Sequence, residues 1–186
     1  MRYVVDASQS WFIVKAFAKG LLSAFGHSPT LAVRGLTGEA EIDAAAPDKA
    51  SLRMIFAADS LIVLDDLSES DRREIERKTR DDVLEAARYP EIVFQSANVA
   101  AQQTGEGSYR VRLSGDLSLH GVTRWQTLDA NVTLTPSSLR AQGRFGLRMS
   151  DYRIRPVTAL GGAIKLKDDL ECAFDIFAQP ASQSGE

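Results

Sequence analysis

Apolar and polar residues alternate one by one along several stretches of this chain, most clearly over residues 109–119 and 139–149. In both stretches leucine, phenylalanine and other apolar residues hold one parity, while arginine, serine, aspartate and glutamine hold the other. Because successive side chains of a β-strand point to opposite faces, this period predicts strands with one buried face. The register is well specified, since a shift of one residue would turn Arg144 and Arg148 towards the core.

Several shorter stretches show the same period with less contrast, and turns rich in glycine, proline and aspartate separate them. Strands that are joined by short turns and have one polar face predict an antiparallel sheet. The pattern alone leaves both a sandwich and a closed barrel open. The shorter stretches are residues 11–17, 52–56, 92–94, 128–134 and 172–176.

Residues 69–88 break this pattern, because they are dense in charge and contain neither glycine nor proline. Glu74 and Lys78 form an i,i+4 pair in the favourable order for a helix. A proline at position 90 limits the helix at its C-terminal side. We therefore predict one helical insertion over about residues 69–88, lying on the surface with its charges in solvent.

The 186 residues suit one domain with a sizeable core. We predict a single domain over residues 1–178 and a flexible polar tail over residues 179–186. No apolar run is long enough to predict a membrane-spanning helix. No leader is visible in the sequence, so the chain as given is expected to be cytoplasmic, or periplasmic if a leader has been removed.

Few residues suggest chemistry. Neither His27 nor His120 has a second histidine, a cysteine or a carboxylate at metal-ligand spacing. Cys172 alternates with apolar residues, which predicts a buried and unreactive thiol. The chain also lacks the Gly-x-Ser-x-Gly turn of a serine nucleophile. We therefore predict no catalytic residue, no metal site and no cofactor, and we do not expect an enzyme.

Nucleic acid is not an expected partner, because the net charge is −3 and RNA-stacking sheets need exposed aromatics beside their basic groups. Tyr109 and Phe145, which alternate with the arginines, are predicted to point inward instead. A dimer contact or simple solubility explains the arginines on the outer face. They are Arg110, Arg112, Arg140, Arg144, Arg148, Arg153 and Arg155.

Several motifs together resemble the YceI-like family. Residues 88–96, Arg-Tyr-Pro-Glu-Ile-Val-Phe-Gln-Ser, are similar to its Tyr-Pro-x-Ile-x-Phe-x-Ser element. Residues 115–123, Gly-Asp-Leu-Ser-Leu-His-Gly-Val-Thr, are similar to its Gly-x-Leu-x-(Leu/Ile)-x-Gly-Val-Thr element. Residues 10–15 resemble the first long strand of the family, and residues 25–27 resemble its Gly-His element. The order and spacing agree over roughly residues 3–178.

The resemblance implies an all-β fold, an antiparallel eight-stranded lipocalin-like barrel with the helical insertion near one end. It also implies a ligand inside the barrel: a polyisoprenoid, an isoprenoid quinone or a related lipid. A homodimer is a further expectation from the resemblance. Some relatives have a second histidine two residues after the Gly-His element, but here that position is Pro29, which weakens any metal or haem role.

We predict a non-catalytic carrier that holds one long apolar amphiphile, with His27 or Tyr89 near the mouth of the barrel. Two alternatives remain open. One is a structural or partner-recruiting barrel without a ligand, which a cavity too small for a ligand would favour. The other is a haem or enzyme site at His27. The predicted ligand-binding residues are Trp11, Ile13, Phe17, His27, Phe56, Tyr89, Phe94, Leu113, Leu117, Val132, Phe145, Leu147 and Phe174.

Overall fold

The computed structural model describes residues 1–19, 28–43, 45–155, 158–159 and 164–181. The described part of the chain contains twelve strands and one α-helix. All strand pairings are antiparallel. The strands are β1 (Arg2–Val5), β2 (Trp11–Lys19), β3 (Thr30–Val33), β4 (Leu36–Glu41), β5 (Ser51–Ala57), β6 (Leu61–Val63), β7 (Glu91–Gly105), β8 (Ser108–Leu119), β9 (Val122–Thr135), β10 (Ser138–Arg148), β11 (Thr158–Ala159) and β12 (Ile164–Pro180), and the helix is α1 (Glu69–Lys78).

Eight strand positions close into a barrel. The order is β1-β4-β5-β7-β8-β9-β10-β12, and β12 pairs with β1 to complete the ring. Strands β2, β3 and β6 continue the positions of β1, β4 and β5, because β12 pairs with β2, β2 with β3 and β3 with β6. The predicted fold class is confirmed. A ring of eight strands has an interior just wide enough for side chains or one small ligand.

The helical insertion begins where it is predicted but ends at Val83 rather than at residue 88. Its last five residues form a π-helical turn, and Glu85 (φ +46°) then takes a left-handed backbone that cannot continue a right-handed helix. Ile75 of α1 is buried against Leu31 and Val63, so the insertion lies against the β3–β6 end of the barrel. Among the described residues, no helix has the length and apolarity needed to cross a membrane.

Strand β12 runs beyond the predicted limit of the domain. Pro180 pairs with Tyr3, and the N–H of Ala181 donates to the carbonyl of Arg2 at 2.8 Å. The tail therefore does not begin at residue 179, because these backbone groups still belong to the sheet. Residues 182–186 lie outside the described residues.

A small buried cluster lies in the barrel end formed by β1, the C-terminal part of β12 and the β9–β10 turn. Tyr3, Leu139 and Ala178 are its buried members, and Val132 and Leu134 pack against them. We name it the Tyr3 cluster. It fills this end of the barrel with side chains, so the open part of the barrel interior lies between this cluster and the opposite end.

Candidate ligand-binding cavity

An elongated cavity of about 220 Å³ lies inside the barrel. Its wall extends from Leu139 and Ala178, two members of the Tyr3 cluster, to Val83 and Leu84 at the end of the helical insertion. Along β10 alone the lining runs from Leu139 to Leu147, which is roughly 26 Å of strand at about 3.3 Å per residue. A small volume over such a length indicates a narrow cavity, which we call the bore.

The wall of the cavity is almost entirely hydrocarbon. Among the described lining residues, only Thr79 and Gln126 carry a hydroxyl or an amide, and none carries a charge. Burial of apolar surface against such a wall stabilises a complex by roughly 25 cal/mol per Å². An ionised group would be buried there without a partner, at a large cost. The wall therefore favours a hydrocarbon ligand.

Four phenylalanine rings meet across the bore. The ring of Phe12 lies 4.7 Å from that of Phe56 and 6.4 Å from that of Phe174, centroid to centroid, and Phe145 lies 6.1 Å from Phe12. Gly143 faces the ring of Phe174, since a Cβ at Gly143 would lie 2.6 Å from Phe174 Cζ. The missing side chain at Gly143 thus leaves room for the ring of Phe174 against β10.

The single cysteine also belongs to this wall. Cys172 is 1% exposed and lines the cavity. Burial raises the pKa of its thiol to about 12, so the sulfur stays protonated and is a poor nucleophile at neutral pH. In the described part of the chain, no three His, Cys, Asp or Glu side chains come together as a metal ion would require.

His120 joins the β8–β9 turn to the segment that follows the helical insertion. Its Nε2 lies 2.6 Å from Oε2 of Glu85, and its Nδ1 lies 3.2 Å from the carbonyl oxygen of Tyr152. Tyr89 packs on the imidazole, with the ring centroids 4.9 Å apart. These contacts hold residues 84–89, which we name the covering segment, against the β8–β9 turn. Leu84 of this segment lines the cavity.

Seven of the predicted ligand-binding residues line the cavity. They come from β5, β7, β8, β10 and β12, where alternation or shared parity is visible in the sequence. Their contact with a ligand stays a prediction. The seven are Phe56, Phe94, Leu113, Leu117, Phe145, Leu147 and Phe174.

The predicted inner face of β2 is wrong. Phe12 and Val14 line the cavity, whereas Trp11, Ile13 and Phe17 do not. Trp11 is 45% exposed on the outside of the barrel. The physical reason is that both faces of β2 are apolar, so alternation alone does not show which parity faces inward.

Two further predicted residues, Val132 and Tyr89, do not line the cavity. Val132 faces inward but packs against the Tyr3 cluster rather than lining the cavity. Tyr89 is not a lining residue, because its ring lies over Gly121 and His120 instead. His27 lies outside the described residues.

The insertion contributes wall residues that the sequence analysis missed. Thr79, Val83 and Leu84 line the cavity, although the segment reads as a solvent-exposed helix. Gln126 was also missed, and it shares the inward parity of Leu128 on β9. That shared parity is a signal that could have found it. In the insertion Ile75, Thr79 and Val83 recur every four residues, and this thin apolar stripe marks the inner side of the helix.

The fold and the cavity define a closed eight-stranded antiparallel barrel with a hydrocarbon-lined interior. A family model described as the YceI-like domain matches residues 3–178 of the chain. The chain therefore belongs to the YceI-like family, as the resemblance of its motifs predicted.

Two solved structures have the same fold. The crystal structure of Burkholderia cenocepacia BcnA matches with a TM-score of 0.71 and 18% identity, over 94% of this chain and 99% of that chain. The Campylobacter jejuni YCEI protein matches with a TM-score of 0.60 and 16% identity, over 82% of this chain and 85% of that chain. Identities this low extend the likeness to the fold alone. No curated protein matches the chain.

Proposed function

We propose that this protein is a non-catalytic carrier that holds one long apolar molecule in its barrel, with an isoprenoid chain as the ligand class. The observation that supports this most directly is the hydrocarbon-lined cavity. A barrel that served only as a structural or partner-recruiting module would gain stability by filling this space, because an empty apolar volume costs about 24 cal/mol per Å³.

The dimensions of the cavity favour a slender ligand. Pockets for compact small molecules typically measure about 300–1,000 Å³, whereas this cavity has a volume of about 220 Å³. That volume extends from the Tyr3 cluster to the insertion, and the four phenylalanine rings narrow its middle. An extended chain fits such a bore, and a bulky fused-ring lipid does not.

The groups along the wall support binding rather than chemistry. Catalysis needs a nucleophile, acid or base whose protonation state suits the reaction. The thiol of Cys172 is held protonated by burial, and the other polar lining groups are the hydroxyl of Thr79 and the amide of Gln126. None of these side chains is paired with an activating base among the described residues.

A matched pair of substitutions on β9 tests the proposal. Ala130 is 2% exposed and lines the cavity, while its neighbour Asn131 points outward and is exposed. We expect wild type and Asn131→Leu to bind farnesol with one molecule per chain, measured by titration calorimetry. Ala130→Leu places its side chain in the bore and is expected to weaken binding at least about tenfold, which corresponds to about 1.4 kcal/mol.

Thermal unfolding of the three proteins controls for misfolding. Equal affinity in Ala130→Leu and Asn131→Leu would contradict binding inside the barrel. Failure of the wild-type protein to bind any isoprenoid would contradict the proposed function itself.

A further inference from the structure

The covering segment, residues 84–89, contributes apolar side chains to the barrel interior at the end opposite the Tyr3 cluster. Leu84 is 8% exposed and lines the cavity, and Ala86 is 6% exposed and belongs to the same core cluster. Thr79 and Val83, which precede the segment, line the cavity as well. A movement of this segment away from the barrel would therefore open the wall of the bore.

The backbone of the covering segment is bonded locally. The N–H groups of residues 84, 86, 88 and 89 donate to carbonyls within residues 79–85, at 2.8–2.9 Å. Among the described residues, this backbone is next bonded to another part of the chain at Pro90, whose carbonyl accepts from the N–H of Ala58 at 2.9 Å. A segment with local backbone bonds can move as a unit without breaking the bonds of the sheet.

Side chains tie the covering segment to the β8–β9 turn. Oε2 of Glu85 lies 2.6 Å from Nε2 of His120, a contact that we name the Glu85–His120 latch. The ring of Tyr89 packs on the imidazole and lies over Gly121. The side chain of Glu85 is 42% exposed, so water can solvate its carboxylate when the latch breaks, which keeps the cost of opening low.

The backbone on both sides of the latch has an unusual conformation. In the described part of the chain, three non-glycine residues are left-handed: Glu85 (φ +46°), His120 (φ +51°) and Arg153 (φ +58°). Arg153 follows Tyr152, whose carbonyl oxygen lies 3.2 Å from Nδ1 of His120. The π-helical turn over Thr79–Val83 leads directly into the segment. Left-handed residues and π-helical turns are both concentrated at functional and switch regions.

We propose that the covering segment is a gate through which the ligand enters and leaves the bore, and that the Glu85–His120 latch sets how often the gate opens. The proposal rests on the proposed carrier function and adds the control of ligand exchange. Neither latch residue is among the described residues that line the cavity. The latch therefore governs the rates of binding and release and leaves the affinity nearly unchanged.

Transfer of tritiated farnesol from the loaded protein to an excess of phosphatidylcholine vesicles measures release. The vesicles are loaded with sucrose and sedimented at a series of times. We expect His120→Asn to release farnesol at least about fivefold faster than wild type, with the equilibrium affinity within about threefold. Glu85→Asn removes the latch from its other side, and asparagine also tolerates a left-handed backbone, so this variant should accelerate release in the same way.

Asp175→Asn is the matched control for a general loss of stability. Asp175 lies on the outer face of β12 and accepts hydrogen bonds from Arg140 and Gln142. Its loss should destabilise the whole fold without touching the latch. We expect this variant to release farnesol within about twofold of the wild-type rate, because the gate opens locally rather than by unfolding of the barrel.

A reversible cross-link tests the gate in the opposite direction. Glu85→Cys combined with His120→Cys replaces the partners of the latch by thiols, which dithiobismaleimidoethane joins and a reductant separates again. Cys172 is 1% exposed and does not compete for the reagent. The mass of the intact chain verifies the bridge. We expect the bridged protein to release farnesol at least about tenfold more slowly than the same protein after cleavage.

The outcomes separate the gate from the proposed function. Equal release before and after cleavage of the bridge would overturn the gate. Equal acceleration by Asp175→Asn and His120→Asn would also overturn it, because release would then follow unfolding of the whole barrel. Both results leave the carrier function intact, since farnesol is bound in each case. If wild type binds no farnesol at equilibrium, the carrier function fails and the gate fails with it.

Discussion

His120 and Glu85 join the turn between β8 and β9 to the segment that covers one end of the barrel, with 2.6 Å between Nε2 and Oε2. The second ring nitrogen lies 3.2 Å from the carbonyl oxygen of Tyr152. The imidazole is largely buried, at 12% exposure of its side chain, so it ties three segments of the chain together.

Removing this ring should loosen the covering segment. His120 has φ +51°, a backbone that asparagine tolerates well, so His120→Asn removes the ring without adding backbone strain. We expect a loss of about 1–3 kcal/mol in the free energy of unfolding, measured by urea denaturation. Hydrogen exchange should accelerate at residues 84–89 before it accelerates in β10.

Glu85→Gln completes a double-mutant cycle with His120→Asn. A coupling free energy of at least about 0.5 kcal/mol is expected for side chains in contact. Strict additivity of the two substitutions would show that the contact contributes nothing to stability.

Asp175 is a buried carboxylate on the outer face of β12. Arg140 donates two hydrogen bonds to it, at 2.8 and 2.6 Å, and Gln142 donates a third at 2.8 Å. These bonds, with that of Arg140 the largest cause, hold the pKa of Asp175 below its usual range. We expect Asp175→Asn to reduce the free energy of unfolding by about 1.5–3 kcal/mol near neutral pH.

The same ionisation makes stability depend on pH. Since the folded-state pKa of Asp175 is lower than the unfolded value of about 3.9, its contribution is complete above about pH 3.9 and is lost as pH falls through the folded pKa. Asp175→Asn should therefore show a flatter decline in acid than wild type, measured by unfolding at a series of pH values.

Asp129 offers a matched control for Asp175. It also accepts two hydrogen bonds from an arginine on the neighbouring strand, Arg112. Its side chain is 57% exposed, whereas that of Asp175 is 6% exposed. Solvent screens an exposed pair, so Asp129→Asn should change stability far less than Asp175→Asn. Equal effects of the two substitutions would contradict the role given to burial.

The thiol of Cys172 should be unreactive in the native protein. Burial raises its pKa to about 12, and only the thiolate reacts with disulfide reagents. We expect no reaction with Ellman's reagent near neutral pH until a denaturant unfolds the chain. Cys172→Ala combined with Ser137→Cys, at an exposed turn, is the control and should react at once. Rapid labelling of native wild type would contradict the buried position of the thiol.

Two glycines of β10 should respond differently to alanine. A Cβ at Gly143 would lie 2.5 Å from the carbonyl oxygen of Asp129 and 2.6 Å from Phe174, whereas one at Gly146 meets nothing closer than 3.8 Å. Gly143→Ala should cost about 1–3 kcal/mol of stability, and Gly146→Ala should stay within about 0.5 kcal/mol of wild type. Chemical denaturation measures both. Similar losses of stability in the two variants would show that the neighbours of Gly143 move aside at little energetic cost.

The sequence predicts the register of a strand where one of its faces is strongly polar. On β10 the arginines at 140, 144 and 148 leave a single choice of inner face, and Phe145 and Leu147 line the cavity as expected. On β2 both faces are apolar, so the pattern does not distinguish Phe12 from Trp11. Burial there depends on which residues of β3 and β12 lie alongside, which is information from tertiary structure.

Two features of the site leave only a weak local signal. The insertion reads as a charged surface helix, yet Val83 and Leu84 reach the cavity from its last turn and the residue after it. The pairing of β9 with β10 ends at Asp129 and Arg144. Beyond that point the inward parity of β9 passes from Leu128 to Gln126 and Arg124, and only this change in polarity accompanies the loss of pairing. Pairing between strands is a property of the closed barrel, so alternation within one strand does not report it.

The central claim is that the barrel carries a long apolar molecule, and extraction of the purified protein with organic solvent tests it most directly. Mass spectrometry of the extract, together with native mass spectrometry of the intact protein, should find one isoprenoid or related long-chain lipid per chain. An extract without lipid, an intact mass equal to the chain alone, and no uptake of added farnesol or farnesyl benzoquinone would contradict the carrier function.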